Sequence, residues 1–260
     1  MTEPEKPENL EGGRTTGAQR LGDTIRKPAR PWTPAVHAVL AHLEAAGFEG
    51  APRPRGLDDQ GREVLTYLPG ETIGNVTPWA PWVFDETTLD LVGAWLRGLH
   101  DATEGWVPPA DAVWMSGASW RPGLVIGHQD AGPYNAVWNE GRIAFVDWEV
   151  TGPSSREFDL AFAALWWVPL HAEHIARAVG FTAFEDRARR LHRLLDAYGY
   201  EGDRRAFGVT VAARIRRNAE VLRRLAATGD PVFVRNLPMT EDLETAARQV
   251  EALPESFWTA

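Results

Sequence analysis

A mixed α+β chain, with strands gathered early and helices late, is predicted by three features of the sequence. Before about residue 70, short apolar runs alternate with turn residues: Thr24-Ile25-Arg26-Lys27, then Arg53 to Leu57, then Asp58-Asp59-Gln60-Gly61 leading into Arg62 to Leu68. Runs of this kind bounded by Gly and Asp read as strands and hairpins. After about residue 85, Leu89, Val92, Trp95, Leu96 and Leu99 recur at the i, i+3, i+4 spacing of one helix face. Between these and the later helices, Leu124-Val125-Ile126 reads as a strand, followed by a loop and a hairpin. In that hairpin Ala136-Val137-Trp138 is one strand, Asn139-Glu140-Gly141 the tight turn, and Ile143 to Val146 the returning strand.

Taken in order, residues 1–10 are rich in Pro and charge and read as a disordered tail. Glu11 to Gly17 is glycine-rich; Gly13 and Gly17 would let backbone N–H groups approach phosphates, although an ordinary surface hairpin fits the same residues. The next strand carries Arg26 and Lys27, which alternation sends to opposite faces, so either cation is a candidate for gripping phosphates. Thr33 reads as a helix N-cap with Pro34 at the first helical position, and Gly47 ends the helix. His37 on that helix reads as a surface residue. Pro69-Gly70 follows the last early strand, with Tyr67 and Leu68 beside the joint. A helix begins near Asp85, and His100-Asp101 at its end reads as a capping or surface feature. Trp106 to Gly123 reads as a loop, and Asp159 to Trp167 as a buried helix. His171-Ala172-Glu173-His174 lacks the spacing of a zinc motif and reads as solvated. From Phe181 to Arg224 eleven arginines face six acids, so ion-paired, solvated helix faces are expected. A last helix spans about Thr240 to Leu253.

The chemistry concentrates in His128-Gln129-Asp130 through Asn135, followed after the hairpin by Asp147-Trp148-Glu149. One loop presents an Asp and an Asn, and the hairpin returns a second Asp. Phosphoryl transfer needs such a set: a carboxylate for the attacking hydroxyl, and oxygen ligands for Mg²⁺ on the nucleotide phosphates.

At these residues the chain resembles the aminoglycoside phosphotransferase-like family, small-molecule relatives of the protein kinases. His128-x-Asp130-x-x-x-x-Asn135, Asp147, and the later Gly152-Pro153 and Asp159-Leu160-Ala161 carry the likeness. The resemblance implies a protein-kinase-like α+β fold with two lobes. A small β-rich lobe would span 11–69 and a larger, mainly helical lobe 70–260. It further implies transfer of the γ-phosphoryl group of ATP or GTP, with Mg²⁺, to a hydroxyl of a small molecule. Asp130 would be the base, and Asn135 and Asp147 the metal ligands. Glu149 would reach a second metal or a water. His128 would brace the catalytic loop, with Asp159 fixing it from behind. Gly13, Gly17, Arg26 or Lys27, Tyr67 and Leu68 would meet the nucleotide. The family places a Glu on the early helix to pair with the strand cation; Val36 or His37 stands there, which puts that pair in doubt.

Composition narrows the alternatives. A net charge of -9 disfavours nucleic acid as a partner. The absence of Cys excludes disulfides and thiolate metal sites. An acidic N-terminus and the lack of any apolar run long enough to span a bilayer point to a soluble, cytoplasmic protein with no membrane partner. Twelve Trp, several in Pro-flanked loops, read as loop anchors. Two other classes stay open: a nucleotide-binding pseudokinase or regulatory module, and a protein-interaction domain using the Arg-rich helices. A metal hydrolase is disfavoured by the missing His cluster.

Overall fold

The computed structural model describes residues 8–9, 17–74 and 76–259. Strands β1 (Glu8–Asn9), β2 (Gln19–Leu21), β3 (Thr24–Pro28), β4 (Pro54–Leu57) and β5 (Arg62–Thr66) form one antiparallel sheet in the order β1-β2-β3-β5-β4. Glu8 and Asn9 therefore pair in the sheet, where the sequence reading had placed them in a disordered tail; the remainder of that tail lies outside the described residues. So do Gly13 and most of the glycine-rich stretch. Turn chemistry sets the register. Gly22 supplies a φ of 61° between β2 and β3. The Asp58 carboxylate accepts the N–H groups of Gln60 and Arg62 at 3.0 and 2.9 Å, closing the β4–β5 hairpin.

Helix α1 (Thr33–Ala45) connects β3 to β4 and buries Val36, Val39, Leu40 and Leu43. Thr33 is its first residue and not its cap: the Thr33 hydroxyl instead accepts the Arg30 N–H at 2.9 Å. At the joint after β5, Gly70 has φ 154°, and a Cβ there would lie 2.6 Å from the Val137 side chain and 2.7 Å from the Trp138 carbonyl. Close backbone approach thus requires glycine. Glu71 and Trp138 then exchange backbone hydrogen bonds of 2.7 and 2.9 Å, tying the joint to the hairpin beyond it.

The larger part is mainly helical. Helix α2 (Glu86–Thr103) starts at Asp85, which accepts the Thr87 N–H at 2.8 Å. Two small antiparallel pairs follow: β6 (Val125–Gly127) with β9 (Gly152–Ser154), and the β7 (Ala136–Asn139)–β8 (Arg142–Phe145) hairpin. Then come α3 (Arg156–Trp167), α4 (Glu173–Ala178), α5 (Arg187–Tyr198), α6 (Arg204–Ala226), α7 (Pro231–Asn236), α8 (Met239–Glu251) and α9 (Glu255–Trp258). One apolar core runs from Val39 and Leu40 of α1 through Leu96, Leu99, Leu160 and Leu194 to Phe207 and Ile215 of α6. Among the described residues no helix is long and apolar enough to cross a membrane.

Three polar residues lie deeper than the sequence suggested. His100 is fully buried and not a surface cap, because the helix face that carries Leu96 and Leu99 turns it toward α3 and α5. His171 is buried against the Trp166 ring at 3.7 Å, whereas His174 is exposed and pairs with Asp242. Arg190 is buried, donating to the carbonyls of Trp167 at 3.1 and 3.0 Å and of Phe84 at 2.7 Å. Other arginines of this segment are ion-paired nearer the surface, including Arg193 with Asp90 and Arg216 with Glu251.

Candidate active site

The loop after β6 is held from behind by one carboxylate. Asp159, on the first turn of α3, is 1% exposed and accepts the N–H groups of His128 at 3.1 Å and Gln129 at 2.6 Å, and His100 Nε2 at 3.0 Å. Gly127 makes room for it: a Cβ there would come within 2.6 Å of the Asp159 carboxylate. Burial alone would raise the Asp159 pKa. The bond and charge of His100 and the donated N–H of Gln129 outweigh burial and keep it below its ordinary value. Gln129 adopts φ 63° under this grip.

His128 faces inward. It sits against Trp148 at 4.7 Å and contacts the Val146 carbonyl through Nε2 at 3.1 Å, while its Nδ1 accepts the Asp130 N–H at 3.3 Å. One ring nitrogen as donor and the other as acceptor describes a neutral imidazole. Burial lowers its pKa to about 4, which agrees.

Asp130 points to the cavity side of this loop. Its carboxylate accepts the Tyr134 hydroxyl at 2.6 Å and Asn135 Nδ2 at 2.9 Å. Asn135 Nδ2 also donates to the Asp130 carbonyl at 3.0 Å, so Oδ1 is the amide atom turned to other uses. Asp147 follows β8 in a left-handed conformation, φ 60°, which re-aims its carboxylate after the strand ends. Gln129 and Asp147, both non-glycine residues with positive φ, thus flank the site, where strained backbone often collects.

Lys27 reaches this site from β3. Its Nζ lies 3.2 Å from Glu63, 3.5 Å from Asp147 and 3.2 Å from Glu149. Burial pulls its pKa down, but Asp147, Glu149 and Glu63 together push it well above the usual lysine value. For Glu149 burial wins over the Lys27 charge, and its pKa rises. Arg26, on the other face of the strand, pairs with Asp58 at 3.7 Å. Tyr67 gives its N–H to the Asp23 carbonyl at 2.7 Å, and its ring carries the Arg20 guanidinium at 3.8 Å. Leu68 is half-buried beside it and Gly17 is exposed in the turn just before β2. Gln129, Asp130, Asp147 and Glu149 line one cavity of about 760 Å³.

No family model matches the sequence. The chain is 38% identical over 194 residues to a trifolitoxin immunity protein of Rhizobium leguminosarum bv. trifolii, a match covering 72% of each chain. The chain belongs to the family of that immunity protein. Its fold is that of the aminoglycoside phosphotransferase-like kinases. A choline/ethanolamine kinase family protein from Mesorhizobium loti superposes with a TM-score of 0.62 at 19% identity, over 96% of this chain and 89% of the other. An amicoumacin kinase, solved with AMP-PNP and Ca²⁺, gives 0.63 at 11% identity over 94% and 89%. A spectinomycin phosphotransferase, solved with ADP and spectinomycin, gives 0.59 at 12% identity over 95% and 92%.

In this immunity-protein family member, the carboxylate beside the strand cation comes from a strand and not from α1. Glu63 of β5 stands directly across from Lys27 in the antiparallel register. Glu63 also meets His37 Nε2 at 3.2 Å, so His37 is part of this cluster and not a surface residue. A charged residue entering the apolar run Val64-Leu65 opposite Lys27 was the available signal. Arg214 is the second residue not singled out in advance. It is buried on α6, donates Nη2 to the Gln129 carbonyl at 2.8 Å and bonds Asn218. Its place in register with Phe207 and Val211, both buried, marked it as inward-facing.

Proposed function

We propose that this protein is a phosphotransferase that moves the γ-phosphoryl group of ATP or GTP to a hydroxyl of a small molecule, with Mg²⁺. The observation that carries the reading is the meeting of Asp130 and Asp147 at one cavity, with Asn135 bonded to Asp130 and the strand cation Lys27 set against Asp147. The donor set suits Mg²⁺: Asn135 Oδ1 and the Asp147 carboxylate are hard oxygen ligands. Among the described residues no group of three His, Cys, Asp or Glu is arranged to hold a metal alone. Magnesium is commonly held by one or two protein oxygens plus substrate phosphates. When bound, Mg²⁺ would neutralise charge on the phosphates. Asp130 orients the acceptor hydroxyl and takes its proton as the oxygen attacks the γ-phosphorus. Tyr134 and Asn135 hold that carboxylate in place. Lys27 grips phosphate oxygens, and Glu63 orients Lys27. Gly17, Tyr67 and Leu68 border the nucleotide, and Glu149 supports the metal side. The nucleotide would sit between a lobe ending at Pro69 and one starting at Gly70, in a cytoplasmic protein.

The test is Asp130→Asn, measured by ADP release and by nucleotide titration. General-base contributions run to about 10²–10⁴-fold. Turnover should fall by at least about a hundredfold while nucleotide affinity stays within a few-fold. Unchanged turnover would place the chemistry elsewhere than at Asp130, and nucleotide binding by the wild type without turnover would return the chain to the pseudokinase reading. Asp147→Asn should abolish Mg²⁺-dependent nucleotide binding.

A second reading rests on the relative's name. The chain would protect a cell against a toxic compound, with phosphoryl transfer to that compound as the means. Expressing the wild type and Asp130→Asn in a trifolitoxin-sensitive strain separates the readings. Protection by the wild type alone joins immunity to catalysis, and protection by both separates them.

A further inference from the structure

The cavity beyond Asp130 has a charge and surface that select its occupant. Its far wall is built from Phe158, Phe162 and Trp166 of α3, Leu222 of α6, Phe233 of α7 and Leu243 of α8. Its acidic lining residues are Asp130, Asp147, Glu149 and Asp230. The first three belong to the reacting end, where Asp147 and Glu149 already face Lys27. Asp230 caps α7, accepting the Val232 N–H at 2.9 Å. Asp230 is therefore the one carboxylate that the described lining residues offer an ammonium group beyond the reacting end. Four arginines also line the cavity: Arg30, Arg121, Arg214, which bonds the Gln129 carbonyl, and Arg217, which pairs with Glu220.

Aromatic faces can also hold a cationic ligand. For two of these rings that role is taken. The Arg214 guanidinium lies 4.8 Å from the Phe162 ring centre and 5.1 Å from that of Phe158. A ligand ammonium seeking those rings would meet a fixed positive charge, and juxtaposed like charges are costly.

We propose that the acceptor is a hydroxyl compound with an apolar or aromatic body and a neutral or anionic polar end, and that amine-bearing acceptors bind more weakly. The proposal rests on the phosphotransfer reading for the hydroxyl, and on the cavity wall for the rest. Arg214 and Arg217 select against cations, and the wall of α3, α6, α7 and α8 takes the apolar body. The volume, about 760 Å³, suits a ligand of drug-like size.

The test uses three probes with one benzoyl- or benzyl-bearing serine body and one hydroxyl: N-benzoylserine (anionic), N-benzoylserinamide (neutral) and serine benzylamide (cationic). Binding is measured by saturation-transfer NMR on the full chain with Mg²⁺ and AMP-PNP. The anionic and neutral probes should bind at least about tenfold tighter than the cationic one. Arg217→Glu, at a partly exposed position, should narrow or reverse that order. Equal or reversed affinities in the wild type overturn the proposal, as does failure of all three to bind. Nucleotide binding and ADP release by the same preparation are read separately, so failure of the phosphotransfer reading is seen independently of acceptor charge.

Discussion

Two buried ionic clusters, one around Asp159 and one around Lys27, differ in how their charges are answered. Asp159 sits behind the loop of residues 128–135, and its oxygens accept from two backbone N–H groups and His100. His100 in turn meets the Tyr198 hydroxyl at 2.8 Å. Every partner is fixed by backbone or packing. Lys27 is one cation among three carboxylates, Glu63, Asp147 and Glu149, and Asp147 keeps 35% of its side chain exposed. A sealed, matched cluster holds structure. An open cluster with surplus negative charge suits exchange of partners with a cationic ligand. Two carboxylates a dozen residues apart in sequence, Asp147 and Asp159, therefore have opposite characters.

The largest expected effect tests that contrast directly. Asp159→Asn puts an amide N–H where an oxygen now accepts, leaving buried donors without a partner. Breaking a buried pair costs about 3–5 kcal/mol, so denaturant unfolding should show a loss near the lower figure. Asp147→Asn keeps a residue that tolerates φ 60° and relieves repulsion with Glu149. It should change stability by less than about 0.5 kcal/mol. Equal destabilisation by the two variants would erase the distinction.

Next in size is a pH effect that separates the two regions by window. Burial holds His128 down to about 4 and His171 to about 3. The unfolded chain protonates both near pH 6.5. Below that pH the unfolded state binds more protons, so stability present above it is lost as pH falls. The loss is about 1 kcal/mol per histidine between pH 6.5 and about 5.5. Glu63 is also shifted down, but its window lies lower. Burial would raise its pKa, but His37 and Lys27 lower it. Its contribution stays intact down to its unfolded value and is lost only below that. His171→Phe should reduce the acid-side slope of Tm between pH 6.5 and about 5.5 by roughly half.

An effect of comparable size falls on the nucleotide. Lys27→Met should raise the nucleotide KM by about tenfold or more, because a bond to a charged group contributes about 1.5–3 kcal/mol. Arg26→Met should leave KM near wild type, since Arg26 faces Asp58 on the far side of the sheet. Indistinguishable kinetics would remove β3 from the site.

The contrast also explains what was legible beforehand. Asp130, Asn135, Asp147 and Asp159 stand in one short segment, where local strand, loop and hairpin signals fix their order. The two-part α+β organisation was legible for the same reason, because period-2 and period-3.6 patterns occupy separate stretches. Glu63, His37, His100 and Arg214 were not. Each owes its role to a partner far away in sequence, such as His100 to Asp159 or Arg214 to Gln129. Local periodicity shows which face a residue occupies, not what charge lies opposite. The choice between Arg26 and Lys27 likewise needed the β3–β5 register, which sets Lys27 against Glu63.

The smallest expected effect sharpens the comparison at its weakest member, His37. It is half-buried, and its Nε2 lies 3.2 Å from Glu63, which in turn holds Lys27 at 3.2 Å. His37→Leu removes one of two partners of a buried carboxylate. A net loss of about 0.5–1.5 kcal/mol is expected, less than for Asp159→Asn because Lys27 still answers the charge. In a Lys27→Met background Glu63 has no other cation, so removing His37 as well should cost more than it does alone. Members of one network show coupling of at least about 0.5 kcal/mol in a double-mutant cycle. Urea unfolding of the four proteins measures it. Additivity within about 0.3 kcal/mol would mean that His37 only packs beside the strand, and that Lys27 and Glu63 form the pair without it.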